Sequence, residues 1–512
     1  MADPRTHVRS FTESTVVDVA AAEATPSTLS PSLLSPQNST NGNIIPPEHP
    51  FRTLVLCFDG TGDQFDSDNS NIVQFFSMLP KSDRSRQMVY YQAGIGTYTS
   101  PQIADPLWAR ISKFIDEAIA WDLDAHVMGG YEFLMQNYTA NDRICIFGFS
   151  RGAYIARSLA GMIHKARLCS RSDLLLQLPF AYKMYTRTDE VGWQQSNAFK
   201  KAFSNDVDIE FVGVWDTVDS VGLIPRRLPF TTSNTIVRTF RHAIALDEHR
   251  AKFKVNLWNR QQKHEECLGL NESKHAHKAH TGTNHKHALH GLEKRYARDP
   301  TKPTDVEEVW FAGCHCDVGG GSVSNETTHN LARIPLRWMI RECFRTNSGI
   351  MFDCDGLRSI GMDPDALYPF VKPRPSPLAV PQGMRVLRIG EDAPKPSPVT
   401  TSIPKSEEEH DLSDALTPIY DQLSLKWFWW ILELLPLRQR HQRDGDNAWV
   451  KYFTSNLGRA RVIPHAKHDD EPGVVKVHRS VRTRMEAEAA VPGGAKYTAR
   501  AVFKLGNASW VD

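Results

Sequence analysis

A serine between two glycines, Gly148-Phe149-Ser150-Arg151-Gly152, follows the apolar run Arg143 to Phe147 and precedes the small-residue-rich stretch Ala153 to Gly161. Strand, tight turn and helix in that order make a nucleophile elbow, which presents a serine hydroxyl for attack on a carbonyl carbon. Gly148 and Gly152 let the chain turn where a Cβ would clash, so the serine oxygen is expected to stand exposed above the sheet edge. The helix behind it aims its first backbone N–H groups at an oxyanion developing on the substrate. Elsewhere the same pentapeptide makes a plain turn. Here the flanking strand and helix select the catalytic reading.

A serine nucleophile needs an imidazole to take its proton and a carboxylate to fix the imidazole tautomer. His315 lies in Val309-Trp-Phe-Ala-Gly-Cys-His-Cys-Asp-Val-Gly-Gly-Gly, just past a strand-like run and before a glycine turn. For the acid, Asp216 ends the run Phe211-Val-Gly-Val-Trp and is the first choice. Asp247, in the charge-dense block Arg241 to Arg250, also falls between Ser150 and His315 and is the alternative. That block otherwise reads as a salt-bridged helix end. Asp317 suits a capping role on the turn after His315. The oxyanion hole is expected from the Arg151 backbone N–H and the loop at Gly60 and Thr61, with Asp59 holding the loop rather than reacting. Asp59-Gly-Thr also fits the first strand of a haloacid-dehalogenase-type phosphatase. Cys57, however, stands where that enzyme's nucleophilic aspartate belongs, which removes its covalent chemistry.

The elements that must position these groups alternate along the chain. Apolar strand runs are predicted at Thr53 to Phe58, Met88 to Gln92, Arg143 to Phe147, Ile209 to Trp215 and Val306 to Phe311. Helical patterns cover Pro106 to Ala120, Asp124 to Asn137, Ala153 to Lys165 and Leu331 to Thr346. This alternation predicts an α/β fold. Each strand runs into glycine or aspartate, so polar and turn-forming residues collect at the carboxyl ends, the edge where open parallel sheets bind ligands.

The flanks differ in composition. Residues 1–48, rich in Ser, Thr, Pro and Ala, are expected to be a disordered arm. A catalytic domain follows over 51–372, interrupted at 263–292 by a histidine-rich insertion that reads first as an exposed loop and alternatively as a metal-binding tract. A Pro- and acid-rich linker is expected over 373–413 and a helical C-terminal extension over 414–512. In that extension Leu423 to Arg440 carries Trp427, Trp429 and Trp430 with basic residues just beyond. The apolar stretch is too short to span a bilayer. It suits either peripheral contact with a membrane interface or packing on the core.

Across 512 residues, 60 basic against 59 acidic side chains leave a net charge of +1, no global field for nucleic acid. Eight cysteines are scattered. Cys57 and Cys145 sit in strand runs as small buried hydrophobes, and the Cys314/Cys316 pair lacks the second pair that a zinc site needs. The start of the chain shows no secretory segment. A cytoplasmic protein, at most peripheral to a membrane, is therefore expected.

Together, Phe58-Asp-Gly-Thr-Gly, Gly148-Phe-Ser-Arg-Gly-Ala, Gly213-Val-Trp-Asp-Thr-Val, the Arg241 to Arg250 block and Cys314-His-Cys-Asp-Val-Gly-Gly-Gly resemble the DUF2235 family. This is the α/β-hydrolase domain shared with phospholipase effectors of bacterial type VI secretion. The resemblance spans roughly residues 51–350. The arm, the histidine-rich insertion and the tryptophan segment depart from the bacterial proteins and are similar to fungal members. It implies a mostly parallel α/β-hydrolase-like sheet flanked by helices, and a Ser-Asp-His esterase without cofactor or metal. It also implies an ester or lipid substrate, phospholipid in the bacterial effectors. A hydrolase-fold scaffold without activity, docking a membrane or protein partner, is the competing reading.

Overall fold

The computed structural model describes residues 43–61, 63–94, 108–169, 174–205, 207–218, 228–258, 303–391, 406–442, 449–463, 467–468, 471–472, 474–502 and 505–512. Its centre is an eight-stranded sheet. In chain order the strands are β1 (Thr53–Phe58), β2 (Gln87–Gln92), β3 (Arg143–Phe149), β4 (Ile209–Trp215), β5 (Val237–Ala245), β6 (Asp305–Phe311), β7 (Val475–His478) and β8 (Ala508–Val511). They lie in the order β8-β7-β6-β5-β4-β3-β1-β2, and every neighbouring pair is parallel. The predicted α/β-hydrolase-like architecture is thus the one observed.

Alternation within β1 explains the layers. Leu54, Leu56 and Phe58 face one side, where they meet Leu123, Val127, Tyr131 and Leu134 of α1 (Trp108–Asn137) and the apolar face of α2 (Ser150–Ala166). Val55 and Cys57 face the other, against Ile334, Met339 and Ile340 of α3 (Arg333–Arg345). Strands buried on both faces are what a parallel sheet requires.

Four differences from the sequence reading matter for the site. The Arg241 to Arg250 block opens as the second half of β5, not as a helix end. Its charge disguised it: Arg241 is buried on the sheet because Glu342 (2.6 Å) and Asp305 (2.7 Å) neutralise it. The C-terminal segment is not an appendage, since β7 and β8 extend the central sheet beside β6. The stretch 373–413 is anchored at both ends where it is described. Arg374 pairs with Glu408 and Asp411, and the helix Glu407–Ala415 returns Asp411 and Asp414 to the buried Arg337 of α3. At the other terminus Ile44–Ile45 already pairs antiparallel with Phe352–Asp353, ahead of the expected start near Phe51. Residues 1–42 of the expected arm and the histidine-rich insertion at 263–292 lie outside the described residues.

Candidate active site

At the carboxyl end of β3 the chain turns directly into α2, and Ser150 occupies the corner with φ +57°. Left-handed backbone at a non-glycine residue costs free energy and persists only where the surroundings impose it. The two glycines supply that constraint by close approach. A Cβ on Gly152 would sit 2.3 Å from the carbonyl oxygens of Phe58 and Asp59, and one on Gly148 would lie 2.4 Å from the Gly152 oxygen. The hydroxyl is not exposed as expected: Ser150 retains 6 % of its surface and His315 only 3 %.

Three predicted residues meet here. His315, at the start of a short helix after β6, faces the Ser150 hydroxyl with Nε2 at 2.7 Å from Oγ. Its Nδ1 lies 2.6 Å from Asp216 Oδ2, so Nδ1–H donates to the carboxylate and Nε2 is left to accept from the serine. Asp216 follows β4 with φ +39°. The next residue fixes that turn. The Thr217 N–H donates to Nε2 of the buried His242, whose Nδ1 is 3.0 Å from Glu308.

Burial lowers the pKa of His315, opposed by the hydrogen bond and charge of Asp216, so the imidazole is neutral at rest. Burial alone would raise Asp216, but the charge of Arg461 overrides it, aided by His315, and holds the carboxyl well below the usual carboxylate range. Phe149 and Phe253 flank the imidazole with ring centroids at 4.7 and 4.8 Å. Glu248 Oε2 accepts the His315 backbone N–H at 3.3 Å and is itself paired with Arg250 at 2.7 Å.

Asp247 is not brought to His315. Its Oδ2 accepts from the Gly313 N–H (2.7 Å) and the Tyr497 hydroxyl (2.8 Å), and its Oδ1 from the Arg500 N–H (2.9 Å). With Asp421, Tyr497 and Arg500 it lines a separate cavity of about 280 Å³. Asp317 caps the His315–Gly319 helix by accepting the Cys314 N–H at 2.8 Å, and burial pushes its carboxyl up to about 7.

Asp59 holds the loop after β1, accepting from Ser70 (2.6 Å) and Tyr91 (2.7 Å) hydroxyls and from the Gly60 N–H (2.8 Å). The Gly60 amide is therefore already committed. Thr61 beside it has a buried hydroxyl with no hydrogen-bond partner. Arg151 lies in the first turn of α2, where backbone N–H groups have no intrahelical acceptor. Its guanidinium is half-buried, with Asp63 as the attracting charge.

Sequence reasoning missed Arg461, Phe253 and the Glu248–Arg250 pair. Glu248 and Arg250 lay in a block already singled out, whereas nothing in the pattern around Arg461 marks it.

Of the three tryptophans, Trp429 packs on Phe253 with ring centroids at 5.5 Å, under the guanidinium of Arg250. Trp427 and Trp430 remain 77 % and 44 % exposed. Trp427 lies in the turn before the short helix Trp429–Leu434, which carries the other two and runs into the hairpin Leu437–Gln442 and Trp449–Thr454. Among the described residues, no helix is long and apolar enough to cross a membrane.

A family model described as "T6SS, Phospholipase effector Tle1-like, catalytic domain" matches residues 52–342. The uncharacterized protein YEL023C of Saccharomyces cerevisiae is 29% identical over 570 residues, covering 88% of this chain and 82% of its own. Among solved structures, an uncharacterized protein from Pseudomonas aeruginosa aligns at 16% identity with a TM-score of 0.33, over 62% of this chain and 49% of its own. The Tle1 effector bound to the VgrG spike from the type 6 secretion system aligns at 16% identity with a TM-score of 0.24, over 55% and 53%. The match spans about half the length of each of these two solved chains.

Proposed function

Since the chain belongs to the family of Tle1-like phospholipase effector catalytic domains, we propose that it is a serine hydrolase of carboxylic esters, with phospholipid as the substrate class. The observation that carries the reading is the unbroken hydrogen-bond chain from Ser150 through His315 to Asp216.

In this mechanism His315 Nε2 takes the Ser150 proton as Oγ attacks the acyl carbon, and Asp216 stabilises the imidazolium that forms. The Arg151 N–H and Thr61 donate to the tetrahedral oxyanion, Gly60 being engaged by Asp59. Collapse transfers the proton from His315 to the departing alcohol and leaves an acyl-Ser150. Water, deprotonated by His315, then releases the acid and restores the serine.

The exposed apolar surface of Trp427, Phe428, Trp430, Ile431 and Leu434, with exposed Lys426 and Arg438 at its rim, favours peripheral contact with a phospholipid surface. Trp429 is the member that packs inward. The described cysteines are free thiols, in keeping with a cytoplasmic location.

The test is a fluorophosphonate probe followed by mass mapping. The expected outcome is a single adduct at Ser150, lost in Ser150→Ala, alongside turnover of phospholipids or short p-nitrophenyl esters. A folded protein that takes no label at Ser150 would falsify the enzyme and leave the inert scaffold.

A further inference from the structure

Arg461 comes from the far C-terminal side of the chain, beyond the family-matched residues 52–342, yet it touches the acid of the triad. It is 2 % exposed. Nη1 lies 2.6 Å from Asp216 Oδ1 and Nη2 lies 2.9 Å from Asp216 Oδ2, the two-pronged geometry in which guanidinium fits carboxylate. The remaining donors are also placed. Nη1 gives a second bond to the Ala245 carbonyl at 2.9 Å, and Nε and Nη2 both reach the Phe253 carbonyl. Every N–H of the side chain thus has an acceptor, a fixed fork rather than a mobile counter-charge.

We propose that Arg461 is a positioning residue for the hydrolytic reaction, locking Asp216 in the plane that presents Oδ2 to His315 Nδ1 and balancing its charge. The inference rests on the reading of Ser150, His315 and Asp216 as the reacting triad. Among the described residues, the Asp216 carboxylate accepts four hydrogen bonds: one from His315, two from Arg461, and one from the Ala245 N–H at 2.9 Å. Removing Arg461 deletes two of them and frees the carboxylate to rotate about its Cβ–Cγ bond.

The charge matters as much as the geometry. A buried carboxylate beside an imidazole favours the imidazolium, which cannot accept the serine proton. Arg461 offsets that pull. Among the described residues, the other titratable groups around the pair are Glu248 and Arg250, which oppose one another, the imidazole of His242 behind Asp216, and Lys254 near Arg461. None of them replaces a guanidinium bonded to both carboxylate oxygens. Loss of Arg461 therefore raises the pH at which His315 gives up its proton, whether the excess proton sits on the imidazole or is shared with the acid.

The experiment measures fluorophosphonate labelling of Ser150, and kcat and KM for a short soluble ester, across pH in wild type, Arg461→Gln and Arg461→Lys. In Arg461→Gln the acid limb is expected to move up by about one pH unit. Its kcat should drop by about 10²-fold with KM changed less than about twofold. Arg461→Lys keeps the charge but not the fork. Its limb should stay within about 0.3 unit of wild type while kcat falls about tenfold. A folded Arg461→Gln with an unmoved limb overturns the inference. Should that variant fail to fold, an Arg461→Lys enzyme with wild-type kcat overturns it instead. Absence of label on wild-type Ser150 would strike the triad reading itself, a separate outcome.

Discussion

Asp216 and Asp247 are both buried carboxylates that end or follow strands at the same sheet edge, and only their partners distinguish them. Asp216 meets one guanidinium, a backbone N–H and an imidazole. Asp247 meets backbone N–H groups and a phenol, and burial raises its pKa. Asp216→Asn removes the acceptor that fixes the His315 tautomer, and kcat should fall about 10³–10⁴-fold. Asp247→Asn should retain kcat within a few-fold per folded molecule. It should still lose about 1–3 kcal/mol of stability in denaturant titration, as three donors compete for fewer acceptors. Equal catalytic losses in the two variants would contradict this division of roles. The pH dependence follows from His315. Burial lowers its pKa below the usual 6.5, so the proton-accepting form persists as pH falls through that value. Activity is lost only on further acidification. The acid limb of kcat/KM for a p-nitrophenyl ester should therefore lie below pH 6.5; a limb above 7 would show a more basic imidazole than this environment allows.

At the level of elements, the elbow depends on three backbones passing within contact distance. The carbonyls of Phe58 and Asp59 press on Gly152 from β1 while β3 delivers the turn. Gly152→Ala introduces a methyl that neither carbonyl can avoid without moving the strand end and the loop at Gly60 and Thr61 together. Labelling of Ser150 should vanish, and stability should fall by about 1–3 kcal/mol by thermal or chemical melt. The tryptophan segment makes a different prediction because Trp427 and Trp430 are exposed while Trp429 packs on Phe253. Replacing Trp427 and Trp430 by Ser should weaken sedimentation with phospholipid vesicles while leaving hydrolysis of a soluble ester intact. Undiminished vesicle binding would remove the proposed membrane role from this segment. Trp429→Ala should instead slow the soluble reaction, since that ring supports Phe253 against His315.

For the whole molecule, the parallel sheet does not end where the matched domain ends. β7 pairs on β6 and carries β8 beyond it, and the buried Val475 and Val477 belong to the same apolar cluster as Phe311 and Trp338. Arg337 on α3 depends for its charge balance on Asp411 and Asp414. A chain cut after Lys372 would leave that arginine unpaired in the interior, expose the β6 edge and delete Arg461. Removing the partners of a buried charge costs about 3–5 kcal/mol, and an open edge invites aggregation. Such a chain is expected to be insoluble or to melt without cooperativity, as judged by size exclusion and calorimetry. A soluble, cooperatively folding 1–372 product would show the C-terminal half to be dispensable.

The sequence by itself determined the serine elbow, the histidine that follows a strand, the strands that carry them and the parallel α/β class. Each of these is written within a short stretch: glycine spacing around Ser150, an apolar run ending in a polar turn, a period of two or 3.6. It did not decide between Asp216 and Asp247, because both satisfy the same local rule. β5 stayed hidden because its charges are neutralised by Glu342 and Asp305, far off in the chain. Arg461 is joined to Asp216 across 245 residues and carries no local signature. What only the tertiary structure decided is thus which carboxylate the imidazole meets and which cation balances it. Hydrogen-bond geometry and burial belong to the folded arrangement of distant segments, and no residue's immediate neighbours in the chain encode them.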